Sequence, residues 1–168
     1  MRTVPLIIAL YAFVVSISAS QEEDYYTVIT NLQNGLNVTL NGTQHSIEFG
    51  PHSPCRYWKT HDAANTKNWK YYGITGFSAY SYLRYFEYRS GAIAQPDSTP
   101  SLFRLENDEH ASYVISLETE ATGQKLAWTA ERNTTNPRGN MILKLRPYTR
   151  SKSQQFTLTE EYVDPGEC

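Results

Sequence analysis

The side chains best suited to chemistry in this sequence are its aromatic residues and the amides near them. All three tryptophans and 12 of the 13 tyrosines follow residue 20. An aromatic face can stack on the C–H face of a sugar ring, while planar amides pair with hydroxyls that are costly to bury alone. Two neighbourhoods are therefore candidate carbohydrate-binding sites: Tyr57 and Trp58 with Asn68, and Trp128 with Asn136 and Asn140.

Burial decides whether these tryptophans have this role. A carbohydrate site requires Trp58 or Trp128 to lie flat and exposed in a polar hollow, whereas in a core the indoles only pack. Burial of both would favour a second hypothesis, a protease inhibitor whose protruding loops enter the target's cleft. The segment 133–140 is turn-rich, and proline lowers the cost of ordering it, so Pro137 and Arg138 are the candidate inhibitory residues.

Catalytic and metal chemistry have weaker support. The sequence contains four histidines, but no serine lies in a Gly-x-Ser-x-Gly motif and no cysteine has the setting of a nucleophile. His52, Cys55, His61 and Asp62 are residue types that bind zinc, yet their spacing matches no strong zinc pattern. We expect a protein that is not an enzyme and that has no cofactor and no metal.

The first 20 residues predict export. Arg2 is followed by an uncharged apolar run from Val4 to Val15 and by small residues up to Ser20, which is typical of a cleavable signal peptide. We expect residues 21–168 to form the mature, secreted, extracellular protein. No other long apolar segment follows, so no membrane anchor is expected in the mature chain.

Export would allow two modifications, glycosylation and disulfide formation. Three sequons make Asn37, Asn41 and Asn133 candidate glycosylation sites. The two cysteines, Cys55 and Cys168, are expected to form a disulfide in an oxidising compartment, although Cys168 at the terminus could instead be free or pair with another chain.

Size and charge set further bounds. Removing 20 of the 168 residues leaves 148, enough for a single domain with its own core. Without Arg2 the mature chain has 14 basic and 17 acidic residues, a net charge of −3, with both signs interspersed. We therefore expect no nucleic-acid partner.

The local pattern predicts an all-β domain of about twelve short strands. Runs rich in Tyr, Val, Ile, Thr and Phe alternate apolar with polar residues and are separated by Asn, Gly, Pro and Ser, and no segment keeps a clear helical period. One predicted strand covers Tyr82 to Phe86. A polar stretch precedes an aromatic residue and an alternating strand three times, which indicates internal repeats ending near Trp69, Phe103 and Phe156.

These repeats resemble the ricin-B type of β-trefoil, found in plant and fungal lectins and in fungal protease inhibitors. The resemblance depends on the segment Ile29 to Leu36 as the opening of a repeat and on Gln154-Gln155-Phe156 as a Q-x-W-like ending, and it spans Tyr25 to Glu161. It implies a common core for Trp69, Phe103 and Phe156.

The resemblance also identifies a difference from ricin-B lectins. In those lectins an aspartate usually follows the leucine after the glycine turn, but the matching positions here are Asn37 and Ala127. A glycan on Asn37 would also cover the sugar pocket of the first repeat. The hydroxyl acceptor expected of such a lectin is therefore altered.

Together the residues and the resemblance predict a secreted, single-domain, β-trefoil-like protein that binds without catalysis. Glycans are the first candidate partners. An extracellular protease is the alternative, and a secreted effector or toxin acting through the same loops is the third hypothesis.

Overall fold

The computed structural model describes residues 25–41, 46–50, 56–62, 69–74, 82–108, 112–118, 123–134 and 140–162. The predicted signal peptide and both cysteines lie outside these ranges. The described residues form twelve strands and one turn of 3-10 helix, Lys152–Gln154, which confirms the all-β prediction. In chain order the strands are β1 (Tyr25–Asn31), β2 (Asn37–Asn41), β3 (Ser46–Gly50), β4 (Tyr57–Asp62), β5 (Trp69–Ile74), β6 (Tyr82–Arg84), β7 (Gln95–Asp97), β8 (Phe103–Asn107), β9 (Tyr113–Glu118), β10 (Lys125–Arg132), β11 (Met141–Pro147) and β12 (Phe156–Tyr162).

Six of these strands close a barrel. Strand β1 pairs with β4 and β12, β4 with β5, β5 with β8, β8 with β9, and β9 with β12, all antiparallel. The β1–β12 pairing runs from Tyr25 opposite Tyr162 to Asn31 opposite Phe156, so the two ends of the described chain lie side by side. Closure leaves the barrel with no unpaired edge strand.

Three hairpins, β2–β3, β6–β7 and β10–β11, complete the fold. Each hairpin is attached to the barrel through its first strand, which pairs with β1, β5 or β9. Bridges between Ile142 and Glu48 and between Ile93 and Lys144 connect the hairpins to one another. The described strands therefore form three four-stranded repeats: repeat 1 is β1–β4, repeat 2 is β5–β8 and repeat 3 is β9–β12.

The three repeats share one register. Thr27 lies opposite Trp58 in repeat 1, Lys70 opposite Phe103 in repeat 2, and Tyr113 opposite Phe156 in repeat 3. Trp58, Phe103 and Phe156 are therefore the equivalent aromatic residues, and the prediction of Trp69 as the first of them is wrong. Trp69 begins β5, because the polar run before it connects repeats 1 and 2.

These aromatic residues form the centre of the core. Trp58, Phe103 and Phe156 are fully buried, and so is Trp128 of β10. The Trp128 ring meets Phe103 edge-on with centroids 5.0 Å apart and Phe156 with centroids 6.1 Å apart. The Trp58 indole N–H donates to the carbonyl of Val38 at 2.8 Å, so this buried polar atom is satisfied.

Two buried amides fix the turn between β11 and β12. The Asn31 side chain donates to the carbonyls of Ser153 at 3.0 Å and Gln155 at 3.2 Å. Gln154, the glutamine of the Q-x-W-like ending, donates to Thr129 Oγ1 at 3.1 Å and to the carbonyl of Pro147 at 2.9 Å. Buried amides with satisfied bonds fix the connection between β11 and β12.

The barrel interior is underfilled at its open mouth. Two positions beyond the central aromatic residues, repeats 2 and 3 place Leu105 and Leu158 in the barrel, whereas repeat 1 has Thr60. A hollow of about 550 Å³ opens here. It is lined by residues of all six barrel strands, among them Thr27, Thr60, Lys70, Leu105, Tyr113 and Leu158.

Replacing Thr60 with Leu should stabilise the protein. The leucine would restore the three-fold layer and bury more apolar surface, a gain of roughly 1 kcal/mol that corresponds to an increase of about 2–4 °C in Tm. Thr157→Leu, on the outward face of β12, is the matched control and should not raise Tm. An unchanged or lower Tm for Thr60→Leu, measured by calorimetry, would contradict this description of the barrel layer.

Candidate functional site

Trp58 and Trp128 are both 0 % exposed, so neither indole can stack against a sugar. Their role as carbohydrate-binding residues is corrected here. Trp58 is the second residue of β4 and its side chain is in the central aromatic cluster. Trp128 occupies the inward hairpin position that Val38 and Leu83 take in the other repeats. All three residues of that hairpin layer are fully buried, because the layer seals one end of the barrel.

The remaining members of the predicted sites are not assembled around the tryptophans. Tyr57 lies on the opposite face of β4 from Trp58; its hydroxyl accepts from Arg56 Nη2 at 2.9 Å, and the Arg56 guanidinium lies 4.9 Å from its ring centroid. Asn140 donates to Glu48 Oε2 at 3.2 Å. Asn68, Asn136, Pro137 and Arg138 lie outside the described residues.

The shared register identifies the equivalent first residue of the hairpin in every repeat. Asn37 pairs with Thr30, and Ala127 pairs with Ser116 at the equivalent place, which confirms that these two positions match. The third equivalent is Tyr82, which pairs with Gly73. None of the three is acidic.

Repeat 2 has a carboxylate on the second strand of its hairpin. Asp97 pairs in register with Tyr82. It accepts from the backbone N–H of Thr99 at 2.8 Å and from Arg84 Nη1 at 2.9 Å. The hydrogen bond from Thr99 has the larger effect and the one from Arg84 adds to it. Together they hold the pKa of Asp97 below its ordinary value, so the carboxylate is ionised at neutral pH.

The predicted glycosylation sites are partly exposed. Asn37 and Asn41 lie in β2, and Asn133 lies just after β10. The Asn37 side-chain oxygen accepts from Thr30 Oγ1 at 2.8 Å, and the Asn133 N–H donates to the carbonyl of Asn140 at 2.7 Å. Glycosylation of these residues stays a prediction.

The described residues contain no group of three or more His, Cys, Asp or Glu side chains placed to hold a metal ion. Within the same ranges, no helix is long and apolar enough to cross a membrane. Of the four candidate zinc ligands, His52 and Cys55 lie outside the described ranges. Burial, followed by the nearby charge of Lys59, lowers the pKa of His61 below its ordinary value.

Two of the four exposed aromatic side chains among the described residues lie in the β6–β7 loop of repeat 2, and the other two, Tyr25 and Tyr162, pair at the ends of β1 and β12. Phe86 is 57 % exposed and Tyr88 is 52 % exposed, with Ile93 beside them at 43 %. A hollow of about 280 Å³ lies along this loop, and we refer to it as the repeat-2 hollow. It is lined by Phe86, Glu87, Arg89, Ala92, Ile93 and Gln95 around the backbone of Gly91.

Backbone hydrogen bonds fix this loop against repeat 3. The Gly91 N–H donates to the carbonyl of Leu145 at 2.8 Å, and the Leu145 N–H donates to the carbonyl of Ala92 at 2.9 Å. Ala94 N–H donates to Leu143 at 3.0 Å. Gly91 has φ = +91°, a conformation that side chains rarely adopt, so the turn requires glycine. The exposed residues are therefore presented on an ordered segment.

The side chains of the repeat-2 hollow combine an apolar ring with polar groups. The guanidinium of Arg84 lies 4.8 Å from the Phe86 ring centroid, and Glu87 forms an ion pair with Arg89. Gln95 is exposed, and its amide makes no hydrogen bond to another described side chain or carbonyl. A flat apolar surface therefore adjoins an amide with unused donors and acceptors.

Sequence reasoning missed this loop because it assigned Tyr82 to Phe86 to one strand. The strand β6 ends at Arg84, and Tyr85 turns into the core, where it is 1 % exposed. The Ser90-Gly91 pair was the available signal, since it predicts a turn directly after the aromatic cluster.

Comparison with solved structures identifies the fold. The chain matches a designed three-fold symmetric protein, ThreeFoil, with a TM-score of 0.61 and 13 % identity over 80 % of this chain and 96 % of that one. It also matches the ricin B-like lectin of Macrolepiota procera in complex with lactose, with a TM-score of 0.59 and 17 % identity over 81 % and 94 % of the two chains. SeviL bound to asialo-GM1 saccharide matches with a TM-score of 0.54 and 13 % identity over 80 % and 95 %.

No protein-family model and no curated protein matches the sequence. The structural matches agree with the closed barrel and the three hairpins. The protein has the β-trefoil fold, as the sequence resemblance predicted, and it shares this fold with the ricin B-like lectin.

A charge cluster supports the loop that forms the repeat-2 hollow. Arg146 donates to both oxygens of Glu131 at 2.7 Å and reaches Ser90 Oγ in the loop at 3.5 Å, while Lys144 donates to Glu131 at 3.1 Å. The Arg146 hydrogen bond is the main cause that lowers the pKa of Glu131 from 4.5 to about 2.

This shift predicts a pH-dependent stability. The pKa of Glu131 is lower in the folded protein than in the unfolded chain. The ionised carboxylate therefore stabilises the fold fully at pH values above 4.5, and this stabilisation is lost as the pH falls from 4.5 towards 2. The side chain is partly exposed, so we expect less than about 1 kcal/mol. Urea unfolding should find Glu131→Gln less stable than the parent at pH 7 and nearly equal at pH 2.

The matched control is Glu160→Gln, which removes an exposed carboxylate that makes no described ion pair. It should change stability little at either pH. A Glu131→Gln deficit of the same size at both pH values would contradict the ionic origin of the effect.

Proposed function

We propose that this protein is a secreted, non-catalytic, carbohydrate-binding protein that recognises a glycan at the repeat-2 hollow. The observation that supports this most directly is the exposed ring of Phe86 beside the unpaired amide of Gln95. Export through the predicted signal peptide is part of the proposal, since an extracellular glycan is the expected partner.

The chemistry follows from the groups in the hollow. The Phe86 ring accepts the C–H face of a sugar. The Gln95 amide offers two donors and an acceptor for neighbouring hydroxyls, and the carboxylate of Glu87 offers further acceptors. Because the loop is ordered by its bonds to Leu143 and Leu145, little conformational entropy is lost when the sugar binds.

The hollow is small, so a single sugar should bind weakly. At about 0.3 kcal/mol per non-hydrogen atom, a monosaccharide of about a dozen such atoms gains roughly 4 kcal/mol. This corresponds to a Kd of about 1 mM. Assays that present many copies of the glycan are therefore preferable to a single-site titration with a free monosaccharide.

The structural neighbours support the same class of ligand. The Macrolepiota procera lectin was solved with lactose and SeviL with asialo-GM1 saccharide. At 17 % and 13 % identity these matches support a lectin-like fold and carry no assignment of sugar or of binding residues.

Protease inhibition is the alternative. Burial of Trp58 and Trp128 is the outcome that the sequence analysis associated with an inhibitor. Its candidate residues, Pro137 and Arg138, lie outside the described residues, whereas the repeat-2 loop presents an ordered aromatic surface. We therefore place carbohydrate binding first.

Phe86→Ala and Gln95→Ala should each abolish binding on a glycan array, because one removes the stacking surface and the other removes the hydrogen-bonding amide. The deglycosylated mature protein should bind at least one glycan class. Leu102→Ala, which trims a residue that is 45 % exposed and does not line the hollow, is the matched control and should keep full binding.

Two outcomes would overturn the proposal. One is an array on which the parent protein binds no glycan at high micromolar concentration. The other is binding that both alanine variants retain. Inhibition in a panel of cysteine and serine proteases, lost in Arg138→Ala, would instead support the inhibitor hypothesis.

A further inference from the structure

A second hollow, of about 430 Å³, lies between repeats 2 and 3. We refer to it as the junction hollow. Its volume falls within the range of about 300–1,000 Å³ that is usual for small-molecule sites. It is lined by the end of β8 with Asp108, by Lys125 at the start of β10, and by Tyr148, Arg150 and Gln155 between β11 and β12.

The two carboxylates of the junction hollow are already paired. Glu106 accepts from Lys125 Nζ at 2.5 Å, and Arg104 Nε lies 3.7 Å from its other oxygen. Burial acts to raise the pKa of Glu106, but the bond and charge of Lys125 outweigh it, so the net pKa is lowered. Asp108 accepts from Gln155 Nε2 at 2.5 Å.

Arg150 differs from the other described arginines. It is the one arginine in the described ranges whose side chain makes no hydrogen bond or ion pair, although it lines a hollow that contains acids. Its φ is +61°, and no other non-glycine residue among those described has a positive φ. This conformation costs about 1 kcal/mol, so the backbone at Arg150 is held by the surrounding chain, and the side chain is exposed at the rim of the hollow.

Neutral polar groups surround Arg150. The hydroxyl of Tyr148 and the amide of Asn107 make no hydrogen bond within the described part of the chain. Lys125 Nζ lies 4.3 Å from the Tyr148 ring centroid and fixes that ring by a cation–π contact. The hollow therefore offers a donor fork, a phenol and an amide, all in one place and all available to a ligand.

The unpaired charge of the site favours an anion. The side chains that line the hollow carry two negative charges, on Glu106 and Asp108, and two positive charges, on Lys125 and Arg150. Lys125 is paired with Glu106 and Gln155 donates to Asp108, so the Arg150 guanidinium is the lining charge without a partner among the described residues. An arginine fork binds a carboxylate through two parallel hydrogen bonds, which a point charge cannot match.

We propose that the junction hollow binds an acidic sugar, one that carries a carboxylate beside its hydroxyls. The Arg150 guanidinium takes the carboxylate in a bidentate pair. The Tyr148 hydroxyl and the Asn107 amide pair with the sugar hydroxyls. This second site is separate from the repeat-2 hollow and does not require that hollow to bind glycan.

The test uses two ligands that differ only in the carboxylate, methyl glucuronoside and methyl glucoside. Each is titrated into the ¹⁵N-labelled, deglycosylated mature protein while the amide shifts are followed by NMR. The glucuronoside should bind at least about tenfold more tightly than the glucoside, which equals about 1.4 kcal/mol. The largest shifts should fall on Asn107, Tyr148 and Arg150.

Arg150→Asn is the informative variant, because asparagine tolerates a positive φ and removes only the guanidinium. It should lose the preference for the glucuronoside. Lys152→Gln is the matched control, since it removes a nearby exposed charge that does not line the hollow, and it should keep the preference. Near-ultraviolet circular dichroism of each variant verifies that the fold is intact.

Three results would overturn the proposal. The two sugars could bind equally, or Lys152→Gln could weaken the glucuronoside as much as Arg150→Asn does, which would indicate general charge attraction. The third is loss of glucuronoside binding in Phe86→Ala, which would place the ligand in the repeat-2 hollow. Conversely, glucuronoside binding that survives Phe86→Ala supports the junction site even if the array finds no ligand for the repeat-2 hollow.

Discussion

Closure of the six-stranded barrel in one register, repeated three times, is the constraint on which the rest of the structure depends. Strand β1 pairs with β12 over seven residues, and Asn31 and Gln154 fix the adjoining turns with buried amide bonds. Once this register is set, each hairpin must face the same end of the barrel. The register thus decides which aromatic residues are buried and which loops remain available for binding.

The same constraint moves the candidate binding surfaces away from the tryptophans. In all three repeats the first strand of the hairpin places one residue in the sealed layer, and in repeat 3 that residue is Trp128. The proposed binding groups therefore lie where the repeats differ. Repeat 2 has a ten-residue loop between β6 and β7 that carries Phe86, and the junction with repeat 3 carries Arg150 with its positive φ.

The sequence predicted the parts of this structure that depend on local pattern. Alternating strands, the turn at Gly35 and the Gln154-Gln155-Phe156 ending were enough to predict an all-β trefoil, because period-2 alternation and turn residues are local signals. The matching of Asn37 with Ala127 was also correct, since both follow a leucine after a glycine turn.

The predictions that were wrong depended on pairing between strands that are distant in the sequence. Trp58 and Trp69 both precede strand-like segments, and only the barrel register, which pairs β4 with β1 and β5, shows that Trp58 is the core residue. The exposure of Phe86 could not be predicted either. Consecutive aromatic residues such as Tyr85 and Phe86 are typical of a strand, and only the structure shows that β6 ends at Arg84.

The most direct measurement of the central claim is a crystal structure of the deglycosylated mature protein soaked with a glycan that it binds. The account predicts density for a sugar ring stacked on Phe86, with a hydroxyl within hydrogen-bond distance of the Gln95 amide. Sugar density at another surface, with the Phe86 ring uncovered, would contradict it.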